Sequence, residues 1–269
     1  MLRTSRASTT SGPDSIVPGA PAIEVTDLTV TYGHVVALRD VTLQLPAGKL
    51  VGVVGPNGSG KSTLLKCVVG AHRQARGTIQ VLGGDRRAAR RLVAYVPQRS
   101  EVERDFPITV REVVQLGRHG ERGWFRRLTA LDHELVDEAL ERTGITHLAR
   151  RPVDALSGGQ LQRTFFARAL AQDRPVLALD EPFVGIDAKT EAELFDLLEQ
   201  LRDSGRSIIV VHHDLADVRD RFDHCALLDG RLLDQGDPKR VLDPERVFDI
   251  FSGHREGSGS SGVASPGIA

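Results

Sequence analysis

The chain has 269 residues, of which 40% are hydrophobic and 26% charged, as in ordinary globular proteins, and this composition excludes a disordered or collagen-like chain. Its 35 Lys and Arg balance 36 Asp and Glu, so the net charge gives no electrostatic argument for nucleic acid as a partner. No stretch approaches the ~18 uncharged apolar residues of a membrane-spanning helix. The polar N-terminus lacks the apolar core of a secretion signal, and two cysteines cannot form a disulfide framework, so we expect a protein of the cytoplasm.

The composition along the chain separates an ordered region, residues 22–252, from two polar tails, 1–21 and 253–269, that are predicted to be disordered. The stretch Leu50–Val54 is wholly apolar, which is typical of a strand buried on both faces. The first part of the ordered region is predicted to contain strands at Ile23–Tyr32, Val35–Leu45, Leu50–Val54, Thr78–Leu82 and Val93–Val96, and helices from about Gly60 to Val69 and over Arg86–Arg91.

Helical patterns dominate from about residue 99 to 165. Three helices are predicted there, one opened by the capping box Thr109–Glu112 and ending near Leu116, one from about Leu131 to Thr143, and one from about Ser157 to Ala171.

Alternating strands and helices then return, and they predict a mostly parallel α/β sheet. Two short strands flank Asp229-Gly230, which is typical of a type I′ hairpin turn. The remaining predicted elements are strands at Val176–Leu179, Ser207–Val211, Ala226–Leu228 and Leu232–Asp234, and a helix over Ala188–Arg202.

A phosphate-binding loop is predicted at Gly55–Ser62, which fits the pattern G-x-x-x-x-G-K-[ST] between a buried strand and a helix. The glycines allow backbone N–H groups to surround a phosphate chain, and the helix N-terminus adds the positive end of its dipole. Lys61 is predicted to reach the β- and γ-phosphates and Ser62 to bind Mg²⁺.

A second apolar strand ends in two carboxylates, Asp180 and Glu181. The first could hold Mg²⁺ and the second could accept a proton from an attacking water. Taken alone, the pair could equally be a helix cap or a solvated pair of charges.

The segment Leu156-Ser157-Gly158-Gly159-Gln160 matches the signature sequence of ABC-type ATPases. With the two phosphate-site motifs in the family's order, the chain resembles the nucleotide-binding subunit of an ABC transporter over roughly residues 22–252. The resemblance implies an α/β fold of the P-loop NTPase type with a mostly parallel sheet, an antiparallel β subdomain and a helical insertion.

The resemblance also implies roles for individual residues. Glu181 matches the general base, Gln98 the glutamine near Mg²⁺ and the γ-phosphate, and His213 the switch histidine, since it directly precedes Asp214. His212 is interpreted as a strand residue. Catalysis is thus assigned to Glu181, His213, Lys61 and Gln98, and Mg²⁺ binding to Ser62, Gln98 and Asp180. Residues expected to contact ATP are Tyr32, which would stack on adenine, Gly55, Pro56, Asn57, Gly58, Ser59, Gly60, Lys61, Ser62, Thr63, Ser157, Gly158, Gly159, Gln160 and Asp187.

The signature opens a helix, so its N–H groups can serve only a phosphate brought by a partner. We therefore expect a head-to-tail dimer of two copies with two ATP molecules between them. The family also implies an integral membrane permease, contacted through a groove beside the helical insertion, and a location at the cytoplasmic face of the membrane.

The segment Tyr95–Arg127, with Phe106-Pro107 and Gly123-Trp124-Phe125, is similar to the ATPases of manganese, zinc or iron importers, most of all the manganese branch. Such an importer implies an extracytoplasmic metal-binding protein, and no nucleic acid is expected. Two alternatives stay open: the ATPase of another ABC transporter, a metal-chelate importer or an exporter, and a soluble ABC ATPase that acts on ribosomes or DNA. The latter kind usually carries two cassettes or long coiled-coil insertions, which this sequence does not show.

Overall fold

The computed structural model describes residues 19–72, 75–98, 108–122 and 127–248. The two predicted tails lie almost wholly outside these residues, as do Phe106-Pro107 and Gly123-Trp124-Phe125. Within the described ranges, no helix is long and apolar enough to cross a membrane.

Nine strands and eight α-helices can be followed through the described residues. The strands are β1 (Ile23–Tyr32), β2 (Val35–Leu45), β3 (Leu50–Val54), β4 (Ala75–Val81), β5 (Val93–Val96), β6 (Val176–Asp180), β7 (Ser207–Val211), β8 (His224–Leu228) and β9 (Leu232–Gly236). The helices are α1 (Lys61–Val68), α2 (Arg86–Leu92), α3 (Val110–Arg122), α4 (Ala130–Arg142), α5 (Gly158–Leu170), α6 (Ala188–Asp203), α7 (Leu215–Arg221) and α8 (Pro238–Val241).

The strands form two sheets. A three-stranded antiparallel sheet has the order β2-β1-β4, and a six-stranded sheet has the order β5-β6-β7-β3-β8-β9. Strands β5, β6, β7, β3 and β8 run parallel, and β9 pairs antiparallel with β8. The carboxyl ends of β3, β5, β6 and β7 therefore meet at one edge, where ligands bind in open α/β sheets.

The larger sheet is covered on both faces. Successive residues of β3 point to opposite sides of the sheet. Leu50 and Val54 belong to the core formed with helices α3 to α8, and Val51 and Val53 belong to the core formed with the small sheet and α1. All five residues of β3, β6 and β7 are buried, as expected for parallel strands with covered faces.

A buried ion pair joins the three helices α3, α4 and α5. Arg118 Nε donates to Asp132 Oδ1 at 2.9 Å, and its Nη1 donates to the carbonyl of Ala171 at 2.9 Å. Asp132 is fully buried, and its Oδ2 accepts the N–H and hydroxyl of Thr129 in the capping box of α4. The Asp132 carboxylate therefore binds both Thr129 at the start of α4 and the Arg118 side chain of α3.

We expect Asp132→Ala to lower the free energy of unfolding by about 3–5 kcal/mol, because it leaves the Arg118 guanidinium buried without its counter-charge. Urea unfolding followed by circular dichroism measures this change. The matched control is Asp137→Ala, also on α4, whose pair with Arg111 is largely exposed and is expected to contribute less than about 1 kcal/mol. Equal losses in the two variants would contradict the structural role of Asp132.

The structure corrects several predicted boundaries. Helix α3 runs to Arg122 rather than ending near Leu116. Gly117 does not end the helix but lies at a close contact with α5, where an added Cβ would be 2.4 Å from the Arg168 carbonyl oxygen. Strand β4 begins at Ala75, three residues before the predicted start. The predicted type I′ turn is also wrong: Asp229–Arg231 connect β8 to β9, and only Gly230 has positive φ, at 65°.

Candidate site for phosphate binding and hydrolysis

The Gly-rich segment forms a loop between β3 and α1. Gly55 has φ 150°, and a Cβ there would lie 2.0 Å from the Leu228 carbonyl oxygen, so only glycine fits without a shift in the backbone. Gly60 has φ 92° and precedes α1 without a side-chain cap. The first N–H groups of α1 thus have no capping side chain and no acidic residue in the first turn, an arrangement that suits an anion.

The loop residues differ in their exposure. Pro56, Asn57 and Gly58 form its exposed tip, whereas Ser59 is buried and donates its N–H to the Pro56 carbonyl at 3.2 Å. Thr63, in the first turn of α1, is half-buried. The exposed tip and the helix start therefore present the backbone N–H groups that a phosphate chain would need.

Lys61 is the first residue of α1, and its side chain folds back beneath this loop. Its side chain is 5% exposed, and Nζ donates to the carbonyls of Gly55 at 2.9 Å and Pro56 at 2.8 Å. Burial lowers the pKa of Lys61, while the negative charges of Glu181 and Asp180 act in the opposite direction. A cation is thus held beneath the loop, next to two carboxylates.

Asp180 ends β6 beneath this loop and is fully buried. Ser62 Oγ donates to Asp180 Oδ1 at 2.8 Å, so the first turn of α1 and the end of β6 present adjacent oxygen atoms. Tyr95, from the neighbouring strand β5, donates its hydroxyl to Asp180 Oδ2 at 3.4 Å. Tyr95 was not predicted as a site residue, although its position three residues before Gln98, on the strand beside β6, was a usable signal.

Glu181 follows Asp180 in a left-handed backbone conformation with φ 47°, which is uncommon for a residue with a side chain. Its N–H donates to the Val211 carbonyl of β7 at 3.2 Å. Gln98, two residues beyond β5, donates Nε2 to Glu181 Oε2 at 2.6 Å. The side chains of Gln98 and Glu181 are therefore in direct contact at the carboxyl edge of the sheet.

His213 lies two residues beyond the end of β7, next to the strand that ends in Asp180. Its side chain is exposed, and Asp214 caps α7 directly after it. The pKa of Asp214 is held below its ordinary value mainly by the N–H of Asp217 in that cap. His213 is thus exposed at the same sheet edge as Glu181, on backbone held by a helix cap.

Tyr32 ends β1 on the small sheet and is 45% exposed. Its ring centroid lies 4.7 Å from that of His72, with the planes tilted by 48°. An exposed ring of this kind can stack on a planar base.

The signature residues lie on a different element. Ser157 caps α5 and forms a capping box with Gln160, so the side-chain hydrogen bonds of this pair stay within the first turn of α5. Ser157 is exposed, while Gly158, Gly159 and Gln160 are half-buried. The structure therefore gathers Gly55–Thr63, Gln98, Asp180, Glu181 and His213 at one sheet edge and presents the signature on a separate helix start.

Asp187 lies beside the signature. It caps α6, and its Oδ1 accepts the Thr190 N–H at 3.0 Å while Oδ2 accepts the Thr190 hydroxyl at 2.8 Å. These bonds hold the pKa of Asp187 below its ordinary value. A Cβ on Gly159 would lie 3.4 Å from Thr190 Cγ2, and an ion pair of Arg163 with Glu193 also joins α5 to α6. Asp187 and the signature thus belong to one packed unit.

The sequence of this chain is similar to those of several known proteins. The sequence profile of the family described as ABC transporter matches residues 38–184. The manganese transport system ATP-binding protein of Halalkalibacterium halodurans and the zinc transport system ATP-binding protein of Treponema pallidum are each 42% identical to this chain over 234 residues. These residues make up 87% of this chain and 93% and 88% of the two relatives.

Two solved structures extend the comparison. A transporter described as of the metal-chelate ABC type, in an inward-facing conformation, matches with a TM-score of 0.74 and 27% identity over 86% of this chain and 89% of that one. A dimeric ATP-binding cassette in a post-hydrolysis state with ADP and Pi matches with a TM-score of 0.70 and 26% identity over 80% of this chain and 98% of that one.

Proposed function

Because this chain belongs to the ABC transporter family, we propose that it is the ATP-hydrolysing subunit of a membrane importer of divalent metal ions, with manganese as the first candidate. ATP binding and hydrolysis come with the family. The observation that carries the choice of cargo is the 42% identity to a manganese and a zinc transport subunit, against 27% to the transporter of metal-chelate type.

The phosphate chain of ATP would lie over the loop at Gly55–Gly60, bound by its backbone N–H groups and the start of α1. Lys61 would add a positive charge at the β- and γ-phosphates from beneath the loop, where it already approaches two carbonyls. Ser62 and Thr63 would bind from the first turn of the helix, and Tyr32 would stack on the adenine ring.

The oxygen atoms beneath the loop fit Mg²⁺. Ser62 Oγ and Asp180 Oδ1 are 2.8 Å apart, close to the roughly 2.9 Å that separates neighbouring ligands in an octahedral shell. Hydroxyl, carboxylate and amide oxygens are also the donors that this hard cation prefers. Ser62, Asp180 and Gln98 would hold the ion, which supplies neutralising charge to the phosphates.

Glu181 would act as the general base by accepting a proton from the attacking water as the bond to the γ-phosphorus forms and the bridging bond to ADP breaks. Gln98 donates to this carboxylate and would orient it. His213 would contact the γ-phosphate from the end of β7, so that Lys61 and His213 both stabilise the charge of the transition state.

A second copy of the chain would complete the site. The start of α5 carries the exposed Ser157 and the half-buried glycines of the signature, on a different element from the phosphate loop of the same chain. ABC cassettes form dimers, and one of the matching structures is a dimer with ADP and Pi. Ser157–Gln160 of each copy would therefore bind the γ-phosphate held by the other, with Asp187 at the same interface.

The other partners follow from the proposed transport system. Cassettes of this family pair with membrane permeases, and here the permease would bind beside the helices α3, α4 and α5, near Gln98. The chain would then work at the cytoplasmic face of the membrane, and an extracytoplasmic metal-binding protein would deliver the ion.

The proposal is tested by measuring cellular manganese, zinc and iron by mass spectrometry under metal limitation. Cells that carry Glu181→Gln as their only copy are expected to lose one metal selectively, relative to cells with the wild-type chain. The matched control is Glu134→Gln, an exposed carboxylate on α4, and it should leave all three metals unchanged.

Each outcome of this experiment has a defined meaning. A selective fall in manganese, zinc or iron supports metal import and names the cargo. A rise in one metal would instead support an exporter. No change in any of the three, with ATPase activity abolished in the same variant, would contradict metal transport and leave the ATPase assignment intact.

A further inference from the structure

His212, which directly precedes the proposed switch histidine, is buried in an aromatic pocket. Its side chain is 2% exposed, and its ring centroid lies 5.3 Å from Phe183, 6.1 Å from Phe222 and 6.2 Å from Phe195. Phe183 comes two residues after Glu181, so the ring of His212 packs on the segment that carries the proposed base. Most buried polar groups are hydrogen-bonded, so the surroundings of each ring nitrogen indicate its protonation.

One ring nitrogen has a backbone partner. The N–H of His213 donates to His212 Nδ1 at 3.1 Å, so Nδ1 is an acceptor and carries no proton. Burial lowers the pKa of His212 and favours the neutral ring. A neutral ring with an unprotonated Nδ1 must carry its proton on Nε2.

The second ring nitrogen faces carboxylates. Nε2 of His212 makes no hydrogen bond to the described residues, but it lies 3.5 Å from Asp217 Oδ2 of α7. Ligand atoms of His212, Asp217 and Glu191 of α6 all lie within 4.8 Å of one another. This trio resembles a cation site, but a metal would need the lone pair of Nε2, where the tautomer places the proton. The carboxylates instead suit a ring that presents an N–H.

We propose that His212 is a positioning residue for ATP hydrolysis. Its Nδ1 fixes the backbone of His213 while its ring packs against Phe183, and together these contacts align His213 with the segment that carries Glu181. The inference rests on the proposed roles of Glu181 and His213. His212 directly follows β7, and its ring contacts Phe183, three residues beyond the end of β6, so a change in its shape or acceptor would move the two groups relative to each other. Nucleotide affinity depends on other elements, the phosphate loop and Tyr32.

Two variants separate the acceptor from the packing. His212→Asn keeps an oxygen acceptor where Nδ1 lies, whereas His212→Leu keeps an apolar side chain of similar size and leaves the His213 N–H without a partner. We expect His212→Leu to lower kcat about tenfold or more with KM for ATP within about twofold, and His212→Asn to retain most of the activity. His133→Leu, an exposed histidine on α4, is the control and should leave both constants unchanged.

The tautomer gives a second readout, on the wild-type chain, that a folding defect cannot affect. Long-range proton–nitrogen NMR of the histidine-labelled chain should show Nδ1 of His212 without a proton and Nε2 with one. Addition of diamagnetic Zn²⁺ alone should not remove the Nε2 proton.

The inference would be overturned by an unchanged kcat in His212→Leu, by an equal loss of kcat in His212→Asn and His212→Leu, or by a proton on Nδ1. Loss of the Nε2 proton on addition of Zn²⁺ would also overturn it, in favour of a metal site. Failure of the proposed function is distinguishable, because in that case Glu181→Gln and His213→Ala would themselves leave ATP turnover unchanged.

Discussion

The Glu181→Gln variant is expected to bind ATP with nearly unchanged affinity and to hydrolyse it about 10²–10⁴ times more slowly than the wild-type chain. The amide has the size of the carboxylate but cannot accept the proton of an attacking water. Its oxygen can still accept the hydrogen bond that Gln98 Nε2 makes to Glu181 at 2.6 Å. The left-handed backbone of this residue and its N–H bond to Val211 do not depend on the side-chain charge.

Phosphate release measures the turnover, and equilibrium binding of a fluorescent ATP analogue measures the affinity. Glu134→Gln on the exposed face of α4 makes the same chemical change far from the sheet edge and should behave as the wild-type chain. Turnover of Glu181→Gln within about threefold of the wild type would exclude Glu181 as the base. Loss of ATP binding in this variant would instead indicate that the charge of Glu181 is needed to assemble the site.

The sequence predicted four strands of the larger sheet well because they are short, mostly apolar stretches between loops, whereas β8 begins two residues earlier and β9 ends two residues later than predicted. β3, β5 and β7 have the predicted bounds, and β6 is longer by the single residue Asp180. The phosphate-binding loop comes directly after β3, and Asp180 and Glu181 stand at the end of β6, so their meeting at one edge of the sheet could be predicted from parallel pairing alone.

Two short helices were missed. α7 has one buried apolar residue, Val218, and α8 is four residues long, so neither shows a hydrophobic period. Their caps were the usable signals: Asp214 accepts N–H groups in the first turn of α7, and Asp237 precedes Pro238 at the start of α8.

Other features depend on tertiary contacts that the sequence pattern of apolar and polar residues does not reveal. Glu181 combines its left-handed φ with a hydrogen bond to a neighbouring strand, and Gly117 lies inside α3 at the point where α5 approaches closely. His212 was interpreted as a strand residue, whereas the structure places it just past β7 with Nδ1 bonded to the next residue in the chain. Periodicity predicts burial, but not which buried nitrogen accepts a hydrogen bond.

Under the proposed function, two copies would share each site, with the phosphate loop of one chain facing the signature of the other. Gly158→Asp is therefore expected to abolish turnover by adding a negative charge where the γ-phosphate of the partner copy would bind, at a helix start that tolerates an acidic residue. In a mixed dimer of Gly158→Asp with Glu181→Gln, one site carries both changes and the other carries neither.

The most direct test of the account is the ATPase rate of an equal mixture of these two inactive variants. If two copies complete each other's site, random pairing should restore about a quarter of the wild-type rate, because half of the dimers then contain one intact site of two. Each variant alone should stay inactive, and the wild-type rate should rise more than linearly with concentration. A mixture as inactive as its components would contradict the shared site and require that each chain hydrolyse ATP with its own residues alone.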